Sequence, residues 1–194
     1  MIVTLILIGL TVLVSLAAFN DARLKQQLVL WPPAVRRRHE YWRLLSYGLV
    51  HADGMHLFFN MFTLFFFGGQ MEAYLSMRIG VLGLPLLYVG GLVASILPSY
   101  VKHQNDPNYY SLGASGAVAA VLFAAVLLRP GATIYLFFIP MPALVFGIAY
   151  IAYSWYMDRQ SNDNINHSAH LWGAGFGLMF MALLEPSLVG RLLH

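Results

Sequence analysis

Long apolar runs separated by short polar stretches dominate the pattern of this chain. A helix that crosses a bilayer needs roughly 20 mostly apolar residues, each adding about 1.5 Å of length. Six stretches approach that length and predict membrane helices over residues 1–19, 55–71, 79–101, 112–128, 132–157 and 168–184. The pattern therefore predicts an all-α polytopic membrane protein, with one domain over residues 1–194 and a long polar and aromatic first loop at 20–50.

Composition agrees with a bilayer as the main solvent. Of the 194 residues, 59% are hydrophobic and only 10% are charged, and the mean hydropathy is +0.68. A soluble domain carries about 25% charged residues. The absence of cysteine excludes disulfides, Cys-ligated zinc and thiol nucleophiles. The excess of eleven Lys and Arg over eight Asp and Glu is small, and no nucleic-acid partner is predicted.

The fourth apolar stretch is short for a membrane helix. Its 17 residues from 112 to 128 reach only about 25 Å, less than the roughly 30 Å hydrocarbon core. If Arg129 lies at one interface, the helix that begins near Ser115 starts below the other interface. The unpaired N–H groups of such a helix start are tolerated only in a wet cavity lined by protein. The short stretch therefore predicts a functional site at Ser115.

Two other predicted helices carry polar residues that suit such a site. His56 and Asn60 are four residues apart, which places both side chains on one helical face. His170 precedes a Gly-x-x-x-Gly pair, Gly173 and Gly177, which allows close helix approach. The small residues after Ser115 offer a matching smooth face, so we expect the Ser115 hydroxyl to lie near the His170 imidazole.

This set of residues predicts nucleophilic catalysis. A serine hydroxyl needs a base to take its proton, and histidine is the usual base near neutral pH. Acyl transfer also needs donors directed at an oxyanion, and the Ser115 backbone N–H, the His56 ring and the Asn60 amide are the candidates. No acidic residue lies near His170 in the sequence, so a Ser–His dyad is expected rather than a triad. The alternative interpretation of Ser115 is a small residue that serves helix packing.

The ordered motifs resemble those of the rhomboid family of intramembrane serine proteases. The motifs are Trp42-Arg43, His51-x4-His56-x3-Asn60, Glu72, Gly113-Ala114-Ser115-Gly116 and Ala169-His170-x2-Gly173-x3-Gly177. The resemblance implies a six-helix bundle in which the nucleophile is Ser115 and the base is His170. It implies an oxyanion hole with His56 and Asn60, and structural roles for Trp42, Arg43 and Glu72. Substrates would be single-pass membrane proteins cut in or near the bilayer after a small residue, with no metal or other cofactor.

The sequence departs from the family pattern in two respects. Family members often carry an aromatic residue four positions after the serine, where it packs on the histidine, and this chain has Ala119 there. With both termini cytoplasmic, as in six-helix members, eight Lys and Arg residues fall on outer loops and three on the inner side. That distribution is the reverse of the positive-inside rule. We expect some first-loop arginines to be paired internally.

Two other classes of function compete with the protease. One is a catalytically inactive rhomboid-like scaffold that binds client helices, although this chain retains both the serine and the histidine. The other is a metal-dependent enzyme or transporter that uses several of the seven histidines, but no H-E-x-x-H motif is present. The expected location is a bacterial plasma membrane, with the site open to the extracytoplasmic side. The sequence leaves the oligomeric state open.

Two further histidines, a possible glycosylation motif and the fifth stretch have weaker signals. His51 is expected to orient the first loop or cap its helix, and His167 is expected to be solvated in a polar loop. Asn166-His167-Ser168 matches the N-glycosylation pattern but abuts the sixth stretch, which favours a chance match. The sequence leaves the element that admits substrate open, and the fifth stretch, with Pro140 and Pro142 near its start, is a reasonable candidate.

Overall fold

The computed structural model describes residues 1–136, 138–160 and 165–193, and side chains as far as residue 190 within those ranges. The described part of the chain is mainly helical. Its helices are α1 Ile2–Asn20, α2 Ala22–Leu28, α3 Pro32–Arg38, α4 Arg43–Ser46, α5 Gly54–Thr63, α6 Gly69–Ile79, α7 Gly83–His103, α8 Ser115–Leu128, α9 Ala143–Gln160, α10 His167–Leu184 and α11 Ser187–Leu193. A 3₁₀ turn over Tyr47–Leu49 follows α4, and a π-helical turn over Leu64–Gly68 joins α5 to α6.

Helix α8 is the centre of the fold. It is apolar on every face, and the twelve consecutive residues from Gly116 to Leu127 are all buried. A helix that is hydrophobic all round must be surrounded by protein or by lipid. Helices α7, α9 and α10 and the π-helical turn supply that surround. At 14 residues α8 is only about 21 Å long, in accordance with the short helix expected from the sequence.

Helix α1 has the opposite arrangement of polar and apolar residues from a helix of a water-soluble protein. Its fully buried positions are Thr4, Thr11, Ser15 and Ala18, whereas large apolar side chains such as that of Leu13 are exposed. Polar and small residues therefore make the most buried contacts of α1, and its outer surface is apolar. That distribution suits a hydrocarbon environment, in which helix interfaces are enriched in small residues.

A carboxylate on α6 holds the start of α1. Glu72 accepts hydrogen bonds from the backbone N–H groups of Val3 and Thr4, at 3.1 and 2.8 Å, and from the Thr4 hydroxyl at 2.6 Å. The first N–H groups of a helix have no acceptors within the helix, so an external carboxylate satisfies them and interacts favourably with the helix dipole. Glu72 thus fixes α6 against α1.

The first loop is folded into three short helices rather than a simple connection. Arg43 is buried, and its guanidinium donates to the Glu40 carboxylate at 2.5 Å and to the carbonyl oxygens of Gln26 and Val29 at 2.8 Å each. Arg36 donates to the side chain of Asn105 at 2.7 Å. Arg43 is therefore a first-loop arginine paired inside the protein, as expected from the charge distribution, whereas the bond of Arg36 lies at the surface.

The predicted fifth stretch differs from the structure at its start. Residues 133–142 form an antiparallel pair of strands, β1 Thr133–Leu136 and β2 Ile139–Pro142, with Thr133 opposite Pro142 and Leu136 opposite Ile139. The helix α9 begins only at Ala143, directly after the second proline. Proline lacks the N–H that a helix interior needs, so the apolar run from 132 to 142 cannot continue the helix.

The other predicted segments correspond to helices with shifted ends. The stretch 55–71 falls on α5, the π-helical turn and the start of α6, which together extend to Ile79, and 79–101 falls on α7. Among the described helices, α1 and α7 are long and apolar enough to cross a membrane by themselves, and α8 is apolar but shorter. The count of six membrane-spanning helices stays a prediction.

Candidate active site

Helices α8 and α10 pack in parallel at the closest helix contact of the site. A side-chain carbon at Gly173 would overlap the carbonyl oxygen of Gly116, and one at Gly177 would overlap that of Ala120. Both contacts advance by four residues, so the two helices run in the same direction and begin at the same end. Glycine is required at both positions because the obstacle is backbone, which cannot move aside as a side chain can.

The two predicted dyad residues lie at this common end. Ser115 is the first residue of α8, and His170 is in the first turn of α10. The carbonyl oxygen of Ala169 lies 3.3 Å from the position that a Cβ on Gly116 would take, so the chain neighbours of Ser115 and His170 are in contact. Both residues are partly exposed, whereas Gly116 and Ala169 are buried.

Backbone hydrogen bonds hold the loop before Ser115 in place. They run between Leu30 and Ser111 in both directions (2.9 and 3.1 Å), from Gly113 N–H to the Tyr47 oxygen (2.9 Å) and from Ala114 N–H to the His51 Nε2 atom (3.3 Å). The three partners are Leu30 in the first loop, Tyr47 in its 3₁₀ turn and His51 just after that turn. The first loop therefore sets the position from which α8 starts.

Gly113 has a backbone conformation that other residues rarely adopt. Its φ is +107°, a region in which residues with a side chain are strained. A Cβ there would lie 2.6 Å from Cε1 and 2.9 Å from Nε2 of His56. Glycine is thus required both for the turn and for the close approach of the His56 ring, two residues before Ser115.

His51 is a buried link between α1 and the loop before Ser115. Its Nε2 accepts from Ala114 N–H, and its Nδ1 lies 2.9 Å from the Ser15 hydroxyl, which itself donates to the Leu49 oxygen. The ring must therefore carry its proton on Nδ1 and remain neutral. Burial, with a contribution from neighbouring His56, lowers the pKa of His51 from 6.5 to about 3, which favours the neutral form.

His56 and Asn60 share one face of α5, as their spacing predicts. The backbone N–H of His56 donates at 2.8 Å to the Asp53 carboxylate, the N-cap of α5, and that bond lowers the pKa of Asp53. The Nδ1 atom of His56 accepts from Ala52 N–H at 3.5 Å, which leaves the Nε2–H beside Gly113 as a donor. The Asn60 amide donates to the His56 oxygen at 2.9 Å and has a second N–H.

An aromatic ring from α9 packs on His170. The centroids of Tyr150 and His170 are 6.1 Å apart at an interplanar angle of 33°, and Tyr150 also contacts Phe123 of α8 edge-on at 5.5 Å. Ala119, in contrast, is buried within α8. The aromatic residue that the sequence lacks at position 119 is therefore supplied by another helix.

His167 is buried rather than solvated. Only 3% of it is exposed, and its ring lies edge-on to His170 at 5.7 Å and to Tyr153 at 5.9 Å. The prediction of a solvated loop residue was wrong because α10 begins at His167, one residue earlier than the predicted segment, and its first turn packs against α9.

The remaining predicted support residues lie away from Ser115. Arg43 and Glu72 make the contacts described above in the first loop and at the start of α1. Trp42 is 56% exposed, and its carbonyl oxygen accepts hydrogen bonds at the start of α4. Across residues 1–136, 138–160 and 165–193, no group of three or more His, Asp or Glu side chains is arranged to hold a metal ion.

Sequence reasoning missed Tyr150, Tyr47 and Asn166. The first packs on His170, the second accepts the Gly113 N–H, and the third caps α10. Only the third left a signal, because an asparagine directly before an apolar helix is a common N-cap. The sequence around a tyrosine in an apolar run does not indicate which helix or loop it contacts.

Comparison with known proteins matches most of this chain to one family. A model of the rhomboid domain matches residues 38–187. Rhomboid protease GlpG of Haemophilus influenzae is 32% identical over 182 residues, covering 92% of this chain and 88% of that protein. RHOMBOID-like protein 12, mitochondrial, of Arabidopsis thaliana is 34% identical over 154 residues. That match covers 73% of this chain and 46% of the plant protein. The chain therefore spans just under half the length of that relative.

The family match extends from the end of α3 to the start of α11, so it includes the loop before Ser115, the parallel contact of α8 with α10 and the start of α5. The match to the Haemophilus influenzae protein adds most of the rest of the chain. This chain belongs to the rhomboid family.

Proposed function

We propose that this chain is an intramembrane serine endopeptidase that uses Ser115 as nucleophile and His170 as general base. The observation that carries the proposal is the parallel contact of α8 with α10. Because the two helices are parallel, Ser115 and His170 lie at the same end of the pair. The Ala169 carbonyl oxygen lies 3.3 Å from the position that a Cβ on Gly116 would take. Membership of a family that includes a protein named rhomboid protease supports the same conclusion.

The proposed chemistry is acyl transfer in two steps. His170 takes the Ser115 hydroxyl proton as the oxygen attacks the carbonyl carbon of the scissile peptide bond. The resulting tetrahedral intermediate breaks the C–N bond, and the leaving amine takes the proton from His170. A water molecule, deprotonated by His170, then attacks the ester carbon, and the Ser115 oxygen leaves with the proton. No carboxylate is assigned to the dyad.

The oxyanion hole is assigned to three N–H groups. The Ser115 backbone N–H lies at a helix start, where it has no acceptor within the helix. The second donor is the His56 Nε2–H beside Gly113, which carries the ring proton because Nδ1 accepts from Ala52. The second N–H of Asn60, a residue only 6% exposed, is the third. Donors that are already fixed in place stabilise the oxyanion strongly, because they need no reorganisation during the reaction.

Membership of the rhomboid family makes the chain an integral membrane protein. We assign as substrates single-pass membrane proteins cut in or near their membrane segment, and as location a bacterial plasma membrane with the site open to the extracytoplasmic side. The bundle is proposed to have six membrane helices in one domain. The ion pair of Arg43 with Glu40 offsets one cation of the outer first loop, which lessens the conflict with the positive-inside rule.

Labelling with a fluorophosphonate in detergent or lipid tests the proposal. The wild-type chain should react, the Ser115→Ala variant should not, and cleavage of a model membrane substrate should fall by at least about 10³-fold in that variant. The matched control is Ser76→Ala, at an exposed serine of α6, which should label and cleave as the wild type does.

Three other results would overturn the proposal. Equal labelling of wild type and Ser115→Ala would remove Ser115 as the nucleophile. Binding of a membrane helix by the folded wild type without labelling or cleavage would indicate the inactive scaffold. Loss of cleavage on chelation, with no labelling that depends on Ser115, would indicate a metal-dependent enzyme.

A further inference from the structure

One side chain connects three parts of the fold beside the proposed dyad. The Asn166 amide nitrogen lies 3.1 Å from the Ser99 hydroxyl, 3.0 Å from the Tyr109 hydroxyl and 3.4 Å from the Ser111 hydroxyl. Its amide oxygen accepts from the backbone N–H of Ala169 at 3.0 Å. Asn166 therefore joins α7, the loop before α8 and the first turn of α10.

The two ends of this connection lie equally far along the chain from the two dyad residues. Ser111 is four residues before Ser115, and Asn166 is four residues before His170. The main-chain oxygen of Asn166 also accepts from the His170 backbone N–H at 3.4 Å. Ser111 is in turn held by its paired backbone hydrogen bonds with Leu30. The Asn166 side chain is thus a short bridge between the segment that leads to the nucleophile and the segment that leads to the base.

The donors and acceptors of this bridge are matched. An amide nitrogen has two hydrogens, so Asn166 can donate fully to two of the three hydroxyls at once. The Ser99 hydroxyl also lies 3.4 Å from the Asn166 oxygen and can donate to it, which leaves the two amide hydrogens for Tyr109 and Ser111. Tyr109 is itself held by a stacked contact with His103, with centroids 3.9 Å apart at 6°. Because its amide nitrogen is used here, Asn166 is a poor glycan acceptor.

We propose that Asn166 is a positioning residue that sets the distance between the Ser115 loop and the His170 helix. The inference rests on the proposed function of the dyad. Capping of α10 alone needs only the amide oxygen, whereas the bridge also needs a side chain long enough to reach Tyr109 and Ser111. Small displacements of reacting groups reduce rates strongly, so a residue that fixes this distance affects the chemical step.

Two substitutions separate the bridge from the cap. Serine and aspartate are as good as asparagine at an N-cap, but only aspartate has the length to reach the three hydroxyls, which can rotate to donate to it. Asn166→Ser should lower the rate constant of fluorophosphonate labelling about tenfold and lower kcat with KM nearly unchanged. Asn166→Asp should stay within about twofold of the wild type. The final labelled fraction, which reports folded protein, should be equal in both.

A double substitution tests whether the partner is the Ser115 loop. Tyr109→Phe deletes only the hydroxyl and retains the stacked ring, and it should lower the labelling rate about threefold. In the Asn166→Ser background the same change should have no further effect, because residues in one network are not additive. Ser76→Ala, at an exposed serine of α6, is the control and should label as the wild type does.

The outcomes distinguish the positioning role from the proposed function. A wild type labelled at Ser115, together with an Asn166→Ser variant of wild-type rate, overturns the positioning role alone. An equal loss in the Ser and Asp variants also overturns it, since the side-chain length would then have no effect. Absence of Ser115 labelling in the wild type overturns the proposed function on which the inference rests.

Discussion

Helices α8 and α9 each contain a long run of mostly apolar residues, but they have very different surroundings. All twelve residues from Gly116 to Leu127 of α8 are buried, whereas α9 buries only Ala143, Gly147 and Ser154 of its 18 residues. Large apolar side chains on α9, such as Ile148, point outward. The comparison shows that an apolar run in a membrane protein indicates the environment of a helix but does not reveal which faces touch protein.

The two helices also differ in how they contribute to the candidate site. The start of α8 is fixed by hydrogen bonds from the preceding loop, and its backbone is in direct contact with α10. Helix α9 follows a mostly exposed strand pair and reaches the site through the Tyr150 ring. Few buried contacts make local displacement of a segment less costly. The element that admits substrate stays open, and the fifth segment, which the structure divides into α9 and the strand pair, stays a candidate.

Substitution of Gly173 should have the largest effect on stability, because it breaks the close contact of α8 with α10, which α9 lacks. A methyl group there overlaps the Gly116 oxygen, so Gly173→Ala should destabilise the fold by about 3 kcal/mol and abolish most labelling of Ser115. In Gly175→Ala the added carbon meets no atom within 4 Å, and the change should be neutral or stabilising by up to about 1 kcal/mol. Thermal unfolding in detergent measures both. Equal melting temperatures would contradict the close contact of α8 with α10.

Acidification should weaken the start of α8 through His51, with a smaller effect. The pKa of His51 is lowered from 6.5 to about 3 in the folded state, so below pH 6.5 the unfolded chain binds the additional proton and stability falls. The expected loss between pH 6.5 and pH 5 is about 2 kcal/mol. Measurement of unfolding across this range should show a shallower slope for His51→Gln, which stays neutral and can still hydrogen-bond.

The control for His51 is His39→Gln, on the exposed part of the first loop. This variant should keep the wild-type dependence of stability on pH. A His51→Gln variant with the same slope as the wild type would show that the bond to Ala114 does not require a neutral histidine.

Removal of the ring on α9 should have the smallest effect on stability. Tyr150→Ala deletes the contacts with His170 and Phe123. An aromatic pair contributes about 0.5–1.5 kcal/mol, and if the contact with His170 serves to orient the base, its loss should slow labelling of Ser115 about twofold to twelvefold. Tyr150→Phe retains the ring and should label as the wild type does. Tyr156→Ala, at an exposed position of α9, is the matched control. Equal labelling rates in all variants would exclude Tyr150 as the packing partner of His170.

The elements near the candidate site were predictable because their signals are local. Gly-x-x-x-Gly after His170, the small residues after Ser115 and the spacing of His56 and Asn60 each depend on neighbours within one or two helical turns. The short α8 was also predictable, because length and hydropathy need no tertiary information. The start of α9 was wrong because the apolar run continued through two prolines, and hydropathy does not separate a strand pair from a helix.

The sequence by itself determined the membrane environment, the order of the helices, the short fourth apolar helix and the candidate residues Ser115 and His170. Only the tertiary structure decided that Tyr150 packs on His170, that His51 supports the loop before α8, and that Asn166 bridges that loop to α10. The physical reason is that inner and outer faces of a membrane helix are both apolar, so hydropathy identifies helices without identifying their neighbours. Contacts between residues far apart in the chain depend on packing geometry, which no local pattern contains.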